Sequence, residues 1–214
     1  MTTRVKICGI KNIDDALFAV SAGADVIGIV HVEESKRFLD LREAGKIFRA
    51  MPPFVSKVIV ASPKKIGEIR EIERCGTDCI QLHGLEDVML VKEIRDSTHL
   101  KLVLQLPVTG EETIDEASSY SGLVDAILLD TKTERGFGGT GVVHDWNVSR
   151  RIVETIKKPV ILAGGLNSVN VLNAIEKVQP YAVDVASGAE SSPGVKDKGK
   201  VLEFIKKVKC YGIT

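Results

Sequence analysis

Eight short runs of valine, isoleucine and leucine recur along the chain, each followed by a stretch with helical patterning. They are VKIC (5–8), DVIGIV (25–30), SKVIVA (56–61), CIQLH (79–83), LKLVLQL (100–106), DAILLD (125–130), PVILA (159–163) and AVDVA (182–186). Most show little strict alternation, as expected for parallel strands covered on their outer face. Between the runs, Asn12 precedes IDDALFAVSAG, with acids in its first turn and Gly23 as a stop. Ser62-Pro63 opens KKIGEIREIERCG with a cap, an N1 proline and a closing glycine. Similar patterns fill 85–96, 111–120, 145–157, 168–178 and 198–209, while 40–50 is weaker and stops at Pro52-Pro53. Eight strand–helix units in 214 residues fit an α/β chain folded as a compact (β/α)8 barrel, with parallel strands inside and helices outside. An open doubly wound sheet uses the same alternation, usually with fewer strands. No composition shift marks a second domain, so residues 1–214 are expected to form a single barrel domain.

Apolar residues make up 44% of the chain, enough for a packed core, and the formal net charge is zero without acidic or basic blocks. That argues against a nucleic-acid or membrane-surface partner, both of which need a concentrated positive field. The first residues run straight into a strand, and no apolar stretch approaches the ~20 residues that span a bilayer. A cytoplasmic location is expected. Cys75 and Cys79 are spaced C-x3-C without nearby histidines and read as small buried hydrophobes or reduced thiols.

In such a barrel the active site lies at the C-terminal ends of the strands. Those positions are Cys8, His31, Ala61, His83, Pro107, Asp130, Gly164 with Gly165, and Ser187 with Gly188. The loops after the seventh and eighth strands, LAGGLN and ASGAESSPG, are placed to grip a phosphate through backbone N–H groups. Gly164, Gly165 and Gly188 also suit tight turns with no ligand at all. GFGGTG (136–141) matches a dinucleotide fingerprint literally, but it neither follows a strand directly nor leads to an acidic residue at the next strand end. It reads instead as a glycine-rich lid over the sixth strand.

Asp130 shares a strand face with Leu128 and Ala126. A carboxyl among apolar neighbours has a raised pKa, which suits a general acid, although a strand-end aspartate can also simply cap a loop. Cys8 is equally readable as a buried hydrophobe or as a base made competent by a nearby positive charge. Lys6 lies one layer deeper on the same face and must be paired. Asp184, on the strand that meets the first on closure, is the natural partner, with Gln81 in the same polar layer. Arg37, in ESKRF after the second strand, is either a solvated charge or a fork for a substrate carboxylate. His31 and His83 at the rim are weak evidence for a metal, and no carboxylate stands beside them to complete a site.

VKICGI, SKRF, QLHG, LLDTK, GGTG, AGGLN, VDVASGAE and PGVKD, in this order over essentially the whole chain, resemble phosphoribosylanthranilate isomerase of tryptophan biosynthesis. The resemblance implies an Amadori rearrangement of N-(5'-phosphoribosyl)anthranilate to 1-(2-carboxyphenylamino)-1-deoxyribulose 5-phosphate, with no cofactor and no metal. It implies that Cys8 is the general base and Asp130 the general acid. Arg37 would hold the anthranilate carboxylate, and Gly164, Gly165, Ser187 and Gly188 the phosphate. His83 and Gly141 complete the rim candidates. The implied partner is this small phosphorylated molecule, and the oligomeric state, monomer or homodimer, stays open. His31 stands where the family commonly has an aromatic residue, and VIVASP departs from the usual glycine-containing third strand. Rival expectations are a dual isomerase that also serves histidine biosynthesis, which normally uses two aspartates, a metal-dependent sugar-phosphate epimerase, and a non-catalytic barrel that binds a phosphorylated metabolite.

Overall fold

A computed structural model describes residues 3–85, 87–131 and 143–211. Strand and helix alternate through β1 (Arg4–Cys8), α1 (Ile13–Ser21), β2 (Val26–His31), α2 (Leu41–Ala50), β3 (Ser56–Ala61), α3 (Ile66–Arg74), β4 (Cys79–Leu82) and α4 (Val88–Ser97). The second half runs β5 (Lys101–Val108), α5 (Glu112–Tyr120), β6 (Ala126–Thr131), α6 (Trp146–Thr155), β7 (Val160–Leu162), α7 (Val171–Val178), β8 (Ala182–Val185) and α8 (Lys198–Cys210). Strands β1 to β8 pair in chain order, all parallel, and β1 closes the barrel on β8. The glycine-rich stretch 136–141, and with it Gly141, lies outside the described residues.

The pleat sorts each strand into two sets of side chains. Ile7, Ile27, Ile29, Ile59, Ile80, Leu82, Leu102, Leu104, Ile127, Leu129, Leu162 and Val183 belong to one continuous cluster with the apolar faces of the helices. The alternate residues Val58, Cys79, Val103, Ala126, Leu128 and Ala163 form a separate cluster, with Cys8, Val30 and Val60 as a third. Both faces of the strands are therefore apolar, which is why the sequence shows runs instead of alternation. Cys75 and Cys79 are buried and unbridged, as their spacing suggested.

Aspartates and asparagines start most of the helices. Asn12, Asp40, Asp87, Asp145 and Asp197 each accept a hydrogen bond from a backbone N–H in the following turn. Ser62 departs from expectation: α3 begins only at Ile66, and the Ser62 hydroxyl donates to the His83 carbonyl at 2.5 Å. It ties the loop after β3 to the loop after β4. A second departure follows β8, where ESSPGVK folds into a small antiparallel hairpin of β9 (Glu190–Ser192) and β10 (Val195–Lys196), turning at Gly194 with φ +82°.

The expected ion pair closes the barrel. Lys6 and Asp184 are register partners across the β1–β8 seam, and Lys6 Nζ donates to Asp184 Oδ2 at 2.9 Å. Lys6→Met strands a buried carboxylate, a change that typically costs about 3–5 kcal/mol. Urea unfolding should show a loss of that order, and Asp184→Leu in the same chain should recover most of it.

Candidate active site

Cys8 ends β1 two residues beyond Lys6, so both point into the barrel with the sulfur nearer the mouth. Space for them comes from Gly28, the register partner of Cys8 on β2. A Cβ at Gly28 would stand 2.9 Å from Lys6 Cε and 3.0 Å from Cys8 Sγ. Burial pushes the Cys8 thiol pKa up; Lys6 and Lys196 work against that and Asp184 adds to it, leaving it above its ordinary value. The unliganded chain therefore holds Cys8 as a thiol, beside cations that favour its ionised form.

Asp130 lies near the end of β6, on the inner face as expected. Its Oδ2 accepts from Gln105 Nε2 at 2.7 Å and its Oδ1 from the Thr131 backbone N–H at 2.8 Å. Burial raises its pKa to about 6; the Thr131 N–H opposes this, Asp184 reinforces it and Lys6 opposes it. The carboxyl is thus poised near neutrality. The Lys6 and Asp184 charges push the pKa values of Cys8 and Asp130 in the same directions, so one buried ion pair influences both groups.

From Lys6 the polar layer continues across the barrel floor. Lys6 Nζ donates to Gln81 Oε1 at 2.8 Å, and Gln81 Nε2 donates to Gln105 Oε1 at 3.1 Å. Gln81 was anticipated; Gln105 was not, because mid-strand in LKLVLQL it reads as an interruption of an apolar run. His83 Nδ1 lies 2.6 Å from Gln105 Oε1, and burial lowers the His83 pKa despite that contact. A neutral His83 with its proton on Nδ1 satisfies this geometry.

Arg37 is neither solvated nor unaccompanied. Nε and Nη2 donate to the two carboxylate oxygens of Glu190 at 2.8 and 2.7 Å. Its stem crosses Gly9, which has φ +78° and where a Cβ would stand 2.6 Å from Arg37 Cδ. Lys196 Nζ also donates to Oε1 of the same carboxylate, at 2.8 Å, and Glu190 is buried. Burial works against the ionised Glu190, but Arg37 and Lys196 outweigh it and hold its pKa below the usual value. Glu190 and Lys196 were missed in the sequence because the hairpin that carries them was read as loop. The Nη1 edge of Arg37 has no acceptor among the described residues and can take a ligand carboxylate. His31, the unusual second-strand residue, contacts the Leu39 carbonyl at 3.0 Å through Nδ1 and packs on Phe38 with ring centres 5.4 Å apart. It shapes the loop that presents Arg37.

The two phosphate-candidate loops touch. Gly164 and Gly165 take φ of +81° and +70°, and Asn170 Nδ2 holds the Gly165 carbonyl at 3.0 Å. A side chain on Gly164 would collide with Thr131, and one on Gly188 with the Leu166 carbonyl. Ser187 and Gly188 open a single 3-10 turn, so their N–H groups have no partner within that turn. With Gly165 they form a cluster of backbone donors suited to an anion.

A family model for N-(5'-phosphoribosyl)anthranilate isomerase matches residues 5–207. The chain belongs to the phosphoribosylanthranilate isomerase family. Its relatives include the N-(5'-phosphoribosyl)anthranilate isomerase of Methanocella arvoryzae, 44% identical over 97% of this chain and 98% of the relative. Among solved structures, the phosphoribosylanthranilate isomerase of Thermotoga maritima has a TM-score of 0.88 at 38% identity, covering 97% of this chain and 98% of its own. A further phosphoribosylanthranilate isomerase, solved with reduced 1-(o-carboxyphenylamino)-1-deoxyribulose 5-phosphate, has a TM-score of 0.85 at 36% identity and covers 97% and 98%. No helix among the described residues is long and apolar enough to cross a membrane.

The site opposes stability at Asp130. A carboxyl at about 6 when folded, against 3.8 when exposed, adds stability in full below pH ~4 and loses it as pH rises through 6. Asp130→Asn has no charge to bury. Denaturant titrations should find it more stable than the parent at pH 7–8, by on the order of 1–3 kcal/mol, with the difference vanishing near pH 4.

Proposed function

We propose that the chain converts N-(5'-phosphoribosyl)anthranilate to 1-(2-carboxyphenylamino)-1-deoxyribulose 5-phosphate, with Asp130 as acid and Cys8 as base. The observation that carries this is the placement of a carboxyl of pKa about 6 and a thiol beside two cations on inner faces of one barrel mouth, around a shared Lys6–Asp184 pair. Membership of the family and the product-like ligand bound by a relative support the choice of substrate.

The substrate carries an anion at each end, and the mouth offers a site for each. The carboxylate goes to the open edge of Arg37, whose other edge is fixed by Glu190. The phosphate goes to the N–H groups of Gly165, Ser187 and Gly188, with Gly164 letting that loop lie close against Thr131. Anchoring both ends places the sugar between β1 and β6.

Asp130 gives its proton to the furanose ring oxygen as the C1'–O bond breaks. The anthranilate nitrogen lone pair fills the vacancy at C1' and forms an iminium. That cation acidifies the proton on C2', which the Cys8 thiolate removes. The released electrons form a C1'–C2' double bond and neutralise the nitrogen, and the resulting enolamine takes a proton at C1' as its C2' hydroxyl gives one up, which leaves the ketone. The iminium also lowers the cost of a thiolate nearby, in the same sense as Lys6.

The two pKa directions shape the pH dependence. The working state needs Asp130 protonated and Cys8 ionised, but Asp130 sits near 6 and the thiol above its ordinary value. The required pairing is a minority form whose share is constant between the two pKa values. kcat/KM should rise with pH to about 6, stay flat, and fall only when Cys8 titrates; a profile falling from pH 6 onward contradicts the ordering. With phosphoribosylanthranilate supplied and its fluorescence followed, Asp130→Asn and Cys8→Ala should each lose at least ~100-fold in kcat. Arg37→Ala should chiefly raise KM. Parent-like turnover in Cys8→Ala or Asp130→Asn removes that residue from the chemistry, and a ligand that binds without turnover in the parent chain favours a metabolite-binding barrel.

A further inference from the structure

Building on the assignment of Asp130 as the acid, we propose that Gln81 and Gln105 form a one-way hydrogen-bond relay from Lys6 that keeps the transferable proton of Asp130 from turning into the barrel. Both glutamines are positioning residues for the acid.

The direction of the relay is set by chemistry at its start. An ammonium can only donate, so Gln81 must present Oε1 to Lys6, as it does at 2.8 Å. That leaves its Nε2 facing Gln105, which must answer with Oε1, at 3.1 Å. Gln105 then has only Nε2 to offer Asp130, at 2.7 Å. His83 reinforces the choice, because its Nδ1 meets the same Oε1 at 2.6 Å. The first two links are buried and the third is partly buried, and a reversed amide would leave several of these groups without partners. The orientation of the Gln105 amide is therefore a consequence of the Lys6 charge two hydrogen bonds away.

At Asp130 the relay ends on a carboxyl whose oxygens both face N–H groups that cannot take a proton back, Gln105 Nε2 and the Thr131 backbone. A reversed Gln105 would present a carbonyl oxygen, and the acid proton would settle on that inward bond. Donated N–H bonds also favour the carboxylate, so the relay restrains the rise in pKa that burial causes. The other titratable groups placed to influence Asp130 among the described residues are Lys6 on β1, Asp184 on β8, His83 after β4, and His144, which bonds the Thr131 hydroxyl at 3.0 Å. β5 contributes the neutral Gln105.

Gln81→Glu is the decisive variant. A carboxylate there still accepts from Lys6 but has no hydrogen for Gln105, so the relay reverses or breaks without a change at Asp130 or at any residue assigned to substrate. kcat should fall about 10-fold with KM within about twofold, and the limb of kcat/KM near pH 6 should move upward by roughly half to one pH unit. Gln105→Met removes the last donor and should give the same signature. The double variant should be no worse than Gln105→Met alone, because Gln81 acts through Gln105. A lowered Tm with an unmoved pH profile and unchanged kcat, or additive losses in the double variant, overturns the relay. Loss of turnover in Asp130→Asn alongside such a result leaves the acid assignment standing, whereas turnover in Asp130→Asn overturns that assignment itself.

Discussion

The ammonium of Lys6 against the carboxylate of Asp184 joins the first and last strands of the barrel inside an apolar cylinder. A buried pair of this kind adds little net stability, because the cost of removing two charges from water nearly cancels their attraction. What it supplies is discrimination: a β1–β8 register slipped by one residue turns Lys6 out of the barrel and leaves Asp184 unpaired. Burial alone would lower the Lys6 pKa, but the Asp184 charge and then Cys8 outweigh it and hold the lysine above its ordinary value, fully charged. The same contact that fixes the seam thus sets the potential under the mouth, favouring a thiolate at Cys8 and, through two amides, orienting the partner of Asp130.

A second ionic cluster sits at the rim. Glu190 receives Arg37 on both carboxylate oxygens and Lys196 on Oε1, while Lys200 donates to its carbonyl at 2.8 Å. This ties the loop after β2 to the hairpin after β8 across the β1 strand end. Two side-chain cations around one carboxylate leave an excess positive charge on that side of the opening. A rigid guanidinium also surrenders less entropy when it meets an anion than one that must first be ordered.

The barrel was legible because parallel strands buried on both faces leave an unmistakable run of branched apolar residues, and because strand ends name the mouth. Cys8, Asp130 and the glycines after β7 and β8 were singled out by their strand-end positions, whereas position alone left Arg37 open between a solvated charge and a carboxylate fork. The Lys6–Asp184 pair was deducible because a buried lysine demands a carboxylate and closure supplies only one neighbouring strand of the right parity. What stayed hidden depends on packing between elements far apart in sequence. Gly28 looks like a defect in DVIGIV until Lys6 and Cys8 occupy its missing side chain. Gln105 and Glu190 acquire meaning only from partners 24 and 153 residues away. Ser62 carried every local mark of a helix cap, and a carbonyl from the neighbouring loop claimed its hydroxyl instead.

The close approach of Gly188 to the Leu166 carbonyl has a consequence for how such a mouth can change. With no room for even one carbon between them, the turns after β7 and β8 behave as a single rigid jaw, and lengthening either would pry the other out of place. Variation in what the barrel accepts is then channelled to the neighbouring stretch of rim after β2, where Arg37 and His31 lean on side chains that can be exchanged.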